Sequence, residues 1–222
     1  MLVQGPDALE QSPLWAEVDG RGGTFVDVGG GQGHVSVQLA RGTARMRFVV
    51  QDRPEVVEGG EAALPERWRR RVAFQPHDFF EEQPVKGADV YFLRKILHDW
   101  PDQAGIKILR NLVPALEPGA KVVVCENILP ETAKPAYEEK EARNMDLNML
   151  MNVNGKERTE SDWKKLFADA DPGFELEFEK WECSTHGLVK ATWKPCGGQA
   201  PTNTAGAEDN RLHTQWHGGQ ES

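Results

Sequence analysis

The chain has 222 residues, enough for one domain with a sizeable core, and 35 acids against 26 bases give a net charge of −9. No lysine- or arginine-rich block interleaves with aromatics, so nucleic acid is excluded as a partner on electrostatic grounds. No apolar run approaches the ~20 residues that span a bilayer, and Met1 to Asp7 show neither the basic region nor the apolar stretch of a signal peptide, so no membrane partner and a cytoplasmic setting are expected.

Residues 1–22 form a short segment rich in Gly, Pro and acid, anchored by Leu14, Trp15 and Val18. Phe25–Val28 is a short apolar run that stops at Gly29, Gly30, Gly31 and Gly33, and apolar periodicity resumes at Val35. This reads as a buried strand, a turn stripped of side chains and a helix start, where backbone can approach a ligand and unpaired N–H groups face it. Further strands are expected at Arg47–Gln51, Val72–Gln75, Asp89–Leu93, Lys121–Cys125, Phe174–Glu179 and Gly187–Trp193. The first five strands are continuously apolar, which suits burial on both faces of a parallel sheet, whereas Phe174–Glu179 alternates and reads as an edge or half-exposed strand.

Helical spacing is carried by Val35, Val37 and Leu39, by Ile106 to Leu116, and by Ala142, Met145, Met149 and Asn152. Pro114 is expected to kink or end the second of these. Trp163, Leu166 and Phe167 follow Ser161, the expected N-cap, with Asp162 in the first turn. Arg67, Arg69, Arg70 and Arg71 read as the solvated end of a helix. Cys125, Cys183 and Cys196 lack metal-ligand spacing, so no metal is expected, and Cys125 reads as core packing. The order of elements predicts a doubly wound, Rossmann-like α/β domain over 23–194. The tail 195–222 is too poor in aliphatic residues to offset the cost of ordering.

The glycine turn alone does not choose its ligand, and the G-x-G-x-x-G dinucleotide pattern starting at Gly29 breaks at His34. Asp52, closing the second strand, can accept from both ribose hydroxyls of either NAD or S-adenosylmethionine (SAM). After the third strand, Asp78 can accept from an adenine amino group and Phe79 can pack on the ring, which favours SAM. The fourth strand leads to His98; a lone histidine at a strand end is ordinarily structural, and Glu126 and Glu157 alone are ordinary surface carboxylates.

Five motifs change that reading by their order: Val26-Asp27-Val28-Gly29-Gly30-Gly31-Gln32-Gly33-His34, Gln51 to Val57, His77-Asp78-Phe79-Phe80, Leu93 to Trp100, and Asn154 to Thr159. Together they resemble the small-molecule O-methyltransferase family typified by plant caffeate and flavonoid enzymes and fungal secondary-metabolite enzymes, over residues 24–193. The resemblance implies a class I methyltransferase sheet, mostly parallel with an antiparallel strand near the end. It implies SAM contacts from Gly29 and Gly30, the ribose acid Asp52, the adenine-side pair Asp78 and Phe79, and the basic contact Arg94, four residues before His98. It also implies His98 as general base, Glu126 (at the carboxyl end of the fifth strand) and Glu157 as the acids that orient its ring, and Met149 and Asn152 as lining of the acceptor pocket.

A phenol ionises near pH 10 and a histidine near 6.5, so His98 is suited to take the phenolic proton as the new bond forms. Family members usually carry an N-terminal helical domain that builds a dimer and closes one wall of the acceptor pocket, and this domain is not expected here. The chain is then a truncated product, a half that works beside a partner, or a compact monomer with an open site; a homo-oligomer or partner subunit would supply the missing helices, and exposed apolar patches follow. The leading expectation is a SAM-dependent O-methyltransferase acting on a phenolic or enolic hydroxyl of a small secondary metabolite. The alternatives are a methyltransferase-like cyclase or pericyclase that uses SAM as a fixed charge, and a non-catalytic partner subunit. An NAD-dependent oxidoreductase is disfavoured by the glycine spacing.

Overall fold

A strand that is apolar on both faces must be covered on both faces, and that requirement builds this molecule outward from its sheet. A computed structural model describes residues 6–132, 137–181, 184 and 186–195. Its first half contains α1 (Pro6–Glu10), α2 (Pro13–Gly20), β1 (Thr24–Val28), α3 (His34–Gly42), β2 (Arg47–Asp52), α4 (Pro54–Ala63), β3 (Val72–Pro76) and β4 (Val90–Arg94). The second contains α5 (Asp102–Leu112), β5 (Lys121–Leu129), α6 (Tyr137–Val153), β6 (Arg158–Thr159), α7 (Glu160–Ala170), β7 (Phe174–Lys180) and β8 (His186–Trp193). The tail expected from 195 onward, apart from Pro195 itself, and the cysteines Cys183 and Cys196 lie outside the described residues.

The strands run β3-β2-β1-β4-β5-β8-β7, with β6 paired to the far end of β5. The pairs among β1 to β5 are parallel, and β8 lies antiparallel to both β5 and β7. The mostly parallel sheet with its antiparallel strand near the end is as the sequence predicts, and the alternating strand β7 is the edge. Side chains alternate between two cores. Val26, Tyr91, Leu93, Val122 and Val124 face Ile108, Leu109, Trp163 and Phe167 of α5 and α7. Phe25, Phe48, Phe92 and Val123 face Leu14, Trp15 and Val18 of α2 with Leu39 of α3. Trp15 meets Phe25 and Phe92 edge-on at 5.7 and 6.1 Å, so the N-terminal anchors pack directly on the sheet.

Four local expectations are resolved here. Helix α5 ends at Leu112, and Pro114 sits in a 3-10 turn at Val113–Ala115, because proline supplies no N–H to continue the ladder. The N-cap of α7 is Thr159 rather than Ser161: Thr159 and Asp162 form a reciprocal capping box, while Ser161 bonds Glu131. Arg71 is not a solvated helix end; its guanidinium donates to the carbonyls of Ala40, Thr43 and Met46 and lies over Phe48. Strand β5 runs four residues past Cys125, to Leu129, because β8 pairs as far as Asn127↔His186 and β6 takes Ile128 and Leu129. Glu126 therefore lies inside a strand and not at its carboxyl end.

Candidate active site

Strand order sends β1, β2 and β3 to one side and β4 and β5 to the other, so a crevice opens beyond the carboxyl ends of β1 and β4. The glycine turn fills its floor. Gly29, Gly31 and Gly33 have φ of +70, +59 and +75°, a region that side chains other than glycine's avoid. A Cβ at Gly30 would strike the carboxylate of Asp27, and one at Gly29 would strike Ile96, whereas one at Gly31 would meet open space. Asp27 lies beneath the turn and accepts a 2.7 Å hydrogen bond from Ser36; burial lifts its carboxyl to about 6.

The acids named from sequence surround this turn. Asp52 ends β2 and accepts from the amides of Gly31 and Arg53, at 2.9 and 2.8 Å. Asp78 follows β3 and closes a small turn by accepting from the Phe80 amide at 2.8 Å. Arg94 ends β4 and is exposed. Phe79 packs edge-on to Trp100, with centroids 6.1 Å apart. Acceptors for hydroxyls and an amine, an aromatic face for a purine, and a turn open at Gly31 form a set that fits SAM, with Asp52, Asp78 and Phe79 available to hold it.

His98 stands on the short 3-10 turn Leu97–Asp99 that follows β4. Its Nδ1 lies 3.1 Å from Oε1 of Glu157, which is itself fully buried. A carboxylate there holds the proton on Nδ1 and leaves Nε2 as the acceptor. Asp99 Oδ1 is 3.5 Å from Nε2, too far for a good hydrogen bond. Burial pulls the His98 pKa down, but the Glu157 hydrogen bond and the charges of Glu126, Glu157 and Asp99 outweigh it, and the net direction is upward.

Glu126 does not bond the ring. Its Oε1 accepts from the amides of Ile96 and Leu97 at 2.9 and 2.7 Å, so it fixes the turn through the backbone. Its position within β5 points it at the start of the turn, a placement only the β5–β4 pairing reveals. Oε2 of both Glu126 and Glu157 is buried without a hydrogen-bond partner among the described residues. Burial drives the Glu126 carboxyl up to about 7, against the pull of the His98 charge.

The turn and the glycine floor are contiguous. Ile96 meets Gly29 at one end of residues 96–100, and Trp100 meets Phe79 at the other. Met149 and Asn152 sit on the last turns of α6; the Met149 carbonyl accepts from the Gly155 amide, and Asn152 is exposed with its amide bonded to Asn148 of its own helix. Sequence reading passed over Asp27, Ile96 and Arg158, although all three lie inside the quoted motifs. An acid in an apolar run was the available signal for Asp27.

The sequence profile of the O-methyltransferase domain family matches residues 13–175. The chain belongs to that family. Among curated O-methyltransferases it is 43% identical over 182 residues to the chlorophenol O-methyltransferase of Trichoderma longibrachiatum, covering 80% of this chain and 39% of that protein. It is 41% identical over 197 residues to the grayanic acid biosynthesis cluster O-methyltransferase of Cladonia grayi, covering 86% and 43%. The chain thus spans about two fifths of the length of these relatives. Among solved structures, LepI in its complex with SAM superposes with a TM-score of 0.69 at 32% identity over 78% of this chain and 43% of that one. The mitomycin 7-O-methyltransferase MmcR gives 0.69 at 28% identity, over 81% and 53%. SAM is the cofactor to which this O-methyltransferase fold points.

Proposed function

We propose that the chain carries the catalytic part of a SAM-dependent O-methyltransferase, with residues 23–194 as the SAM-binding domain and His98 as general base toward a phenolic or enolic hydroxyl of a small secondary metabolite. The observation that carries this reading is the 3.1 Å approach of Glu157 to His98 Nδ1 on a turn that abuts the glycine floor. Bound SAM supplies a methyl group on a positively charged sulfur. Gly29 and Gly30 let the backbone approach it, Asp52 accepts from its ribose, Asp78 and Phe79 hold its adenine, and Arg94 adds a basic contact. Glu157 keeps the His98 proton on Nδ1, so that Nε2 would take the acceptor's proton as its oxygen bonds the methyl carbon, the carbon–sulfur bond of SAM breaking and its electron pair leaving with the sulfur as a neutral thioether. Glu126 holds the turn on which that ring stands. Met149 and Asn152, at the end of α6, line the side from which the acceptor enters. A relative named for chlorophenol supports the phenolic class.

Product masses over a panel of phenols, joined to calorimetry with SAM, test this. The expected product is heavier by one methylene, and His98→Ala lowers its rate by ~10²–10⁴-fold while SAM still binds. A solved neighbour described as a pericyclic reaction enzyme, 31% identical over 78% of this chain with a TM-score of 0.69, gives the competing outcome its form. An isomerised, unmethylated product, or full methylation by His98→Ala, would overturn the proposal.

A further inference from the structure

We propose that Arg158 is the positioning residue of the base: its buried guanidinium spans the turn that carries His98 and fixes the ring's place against Glu157. The inference rests on His98 being the base. Arg158 is 0% exposed, although it is among the largest and most strongly charged side chains in the molecule. Its Nη1 donates to the Leu97 carbonyl at 2.7 Å and its Nη2 to the Trp100 carbonyl at 2.9 Å, the two residues that bracket His98 and Asp99. Nη2 and Nε also reach Asp102 Oδ1, at 3.0 and 3.2 Å, and the guanidinium lies 5.2 Å from the Trp163 ring centroid.

The turn is gripped from two sides by groups of complementary hydrogen-bonding type, an acceptor and a donor. Glu126 takes its leading N–H groups and Arg158 takes its carbonyls. The three residues 156–158 then act in succession on one histidine. The Lys156 amide donates to the His98 carbonyl at 2.9 Å, Glu157 meets the ring, and Arg158 holds the flanking carbonyls. Gly155 precedes them because a Cβ there would run into the His98 carbonyl oxygen. The pairing of β6 with Ile128 and Leu129 brings this segment under the turn.

Stability does not explain a guanidinium at this site. A buried charge is expensive to desolvate, and an apolar side chain of similar volume is often as stabilising or more so. What arginine supplies is a rigid planar fork that meets several acceptors at once; a lysine ammonium is a point donor on a flexible stem. Asp102 cannot be the main purpose of the fork, because its side chain is 47% exposed and an ion pair with it is weakened by solvent.

The test reads the His98 ring by ¹⁵N NMR on the chain as it stands, with the signal assigned by its loss in His98→Ala. Wild type should show neutral His98 as the Nδ1–H form. Arg158→Met should raise the Nε2–H fraction and lower kcat by ~10²-fold, the scale of a 1 Å misplacement, with SAM affinity unchanged. Arg158→Lys should fall between the two, and Asp102→Asn should leave both tautomer and kcat close to wild type. An Arg158→Met variant that keeps the Nδ1–H form and its kcat would overturn the proposal, as would Asp102→Asn reproducing the Met variant. If the Met variant does not fold, an unchanged ring in Arg158→Lys overturns it equally. Should His98→Ala methylate at full rate, the base assignment fails, while the tautomer still decides whether Arg158 sets the ring.

Discussion

Glu126 is 1% exposed, and burial lifts its carboxyl from an ordinary 4.5 to about 7. Between those values the folded chain holds a proton that the unfolded chain releases, so this group's contribution to stability is full below 4.5 and is lost as pH rises through about 7. Glutamine keeps an oxygen for the amides of Ile96 and Leu97 and cannot ionise. The stability difference between Glu126→Gln and wild type should therefore move in the variant's favour, by up to about 3 kcal/mol, from mildly acidic to mildly alkaline pH. Urea denaturation at pH 5 and pH 8 reads it directly, and a pH-independent difference would show that the carboxyl is not held protonated. At this scale the sequence shows which residue types are present, and the motifs show that they belong together. It does not show that Glu126 serves the backbone of the turn and Glu157 its ring, because that division depends on strand register.

At the scale of elements, periodicity identified the strands and the core helices, since burial on a sheet writes itself into consecutive or alternating apolar residues. Boundaries were less legible. Nothing in Cys125-Glu126-Asn127 says that β5 continues, because a buried acid breaks the apolar run while β8 and β6 supply partners from far along the chain. The cap of α7 was misplaced for a related reason: Thr159, Ser161 and Asp162 all suit a helix start, and the geometry of the Thr159–Asp162 exchange decides among them. Thr159→Ala should cost ~1 kcal/mol, the usual worth of a cap, and Ser161→Ala clearly less. Chemical denaturation of the two variants in parallel checks this; a larger loss at Ser161 would contradict the assignment.

For the whole molecule, the exposed large apolar residues among the described residues are confined to α6: Tyr137, Met145, Leu147, Leu150, Met151 and Val153, with Met151 75% exposed. Of the methionine-bearing face predicted there, Ala142 is buried and Met145 is not, so the helix is only loosely part of the core. A patch of this kind promotes association in water. Replacing Leu147, Leu150 and Met151 together by glutamine should raise the concentration at which light scattering appears, with SAM affinity unchanged. Equal scattering by the two proteins would show that α6 is not the adhesive surface. No described helix is long and apolar enough to cross a membrane.

The sequence by itself determined the α/β class, the interior strands, the glycine turn and the set of acids at the strand ends, because each is written in residues close together along the chain. Only the tertiary structure decided how Glu126, Glu157 and Arg158 divide the turn that carries His98. Glu126 reaches that turn from β5, and Glu157 and Arg158 reach it from the segment that enters β6, and a hydrogen bond across that separation depends on which strands lie side by side and in which register. The buried guanidinium of Arg158 is the clearest instance: in sequence it is one arginine in a polar stretch, and in the fold it closes on the carbonyls around the base.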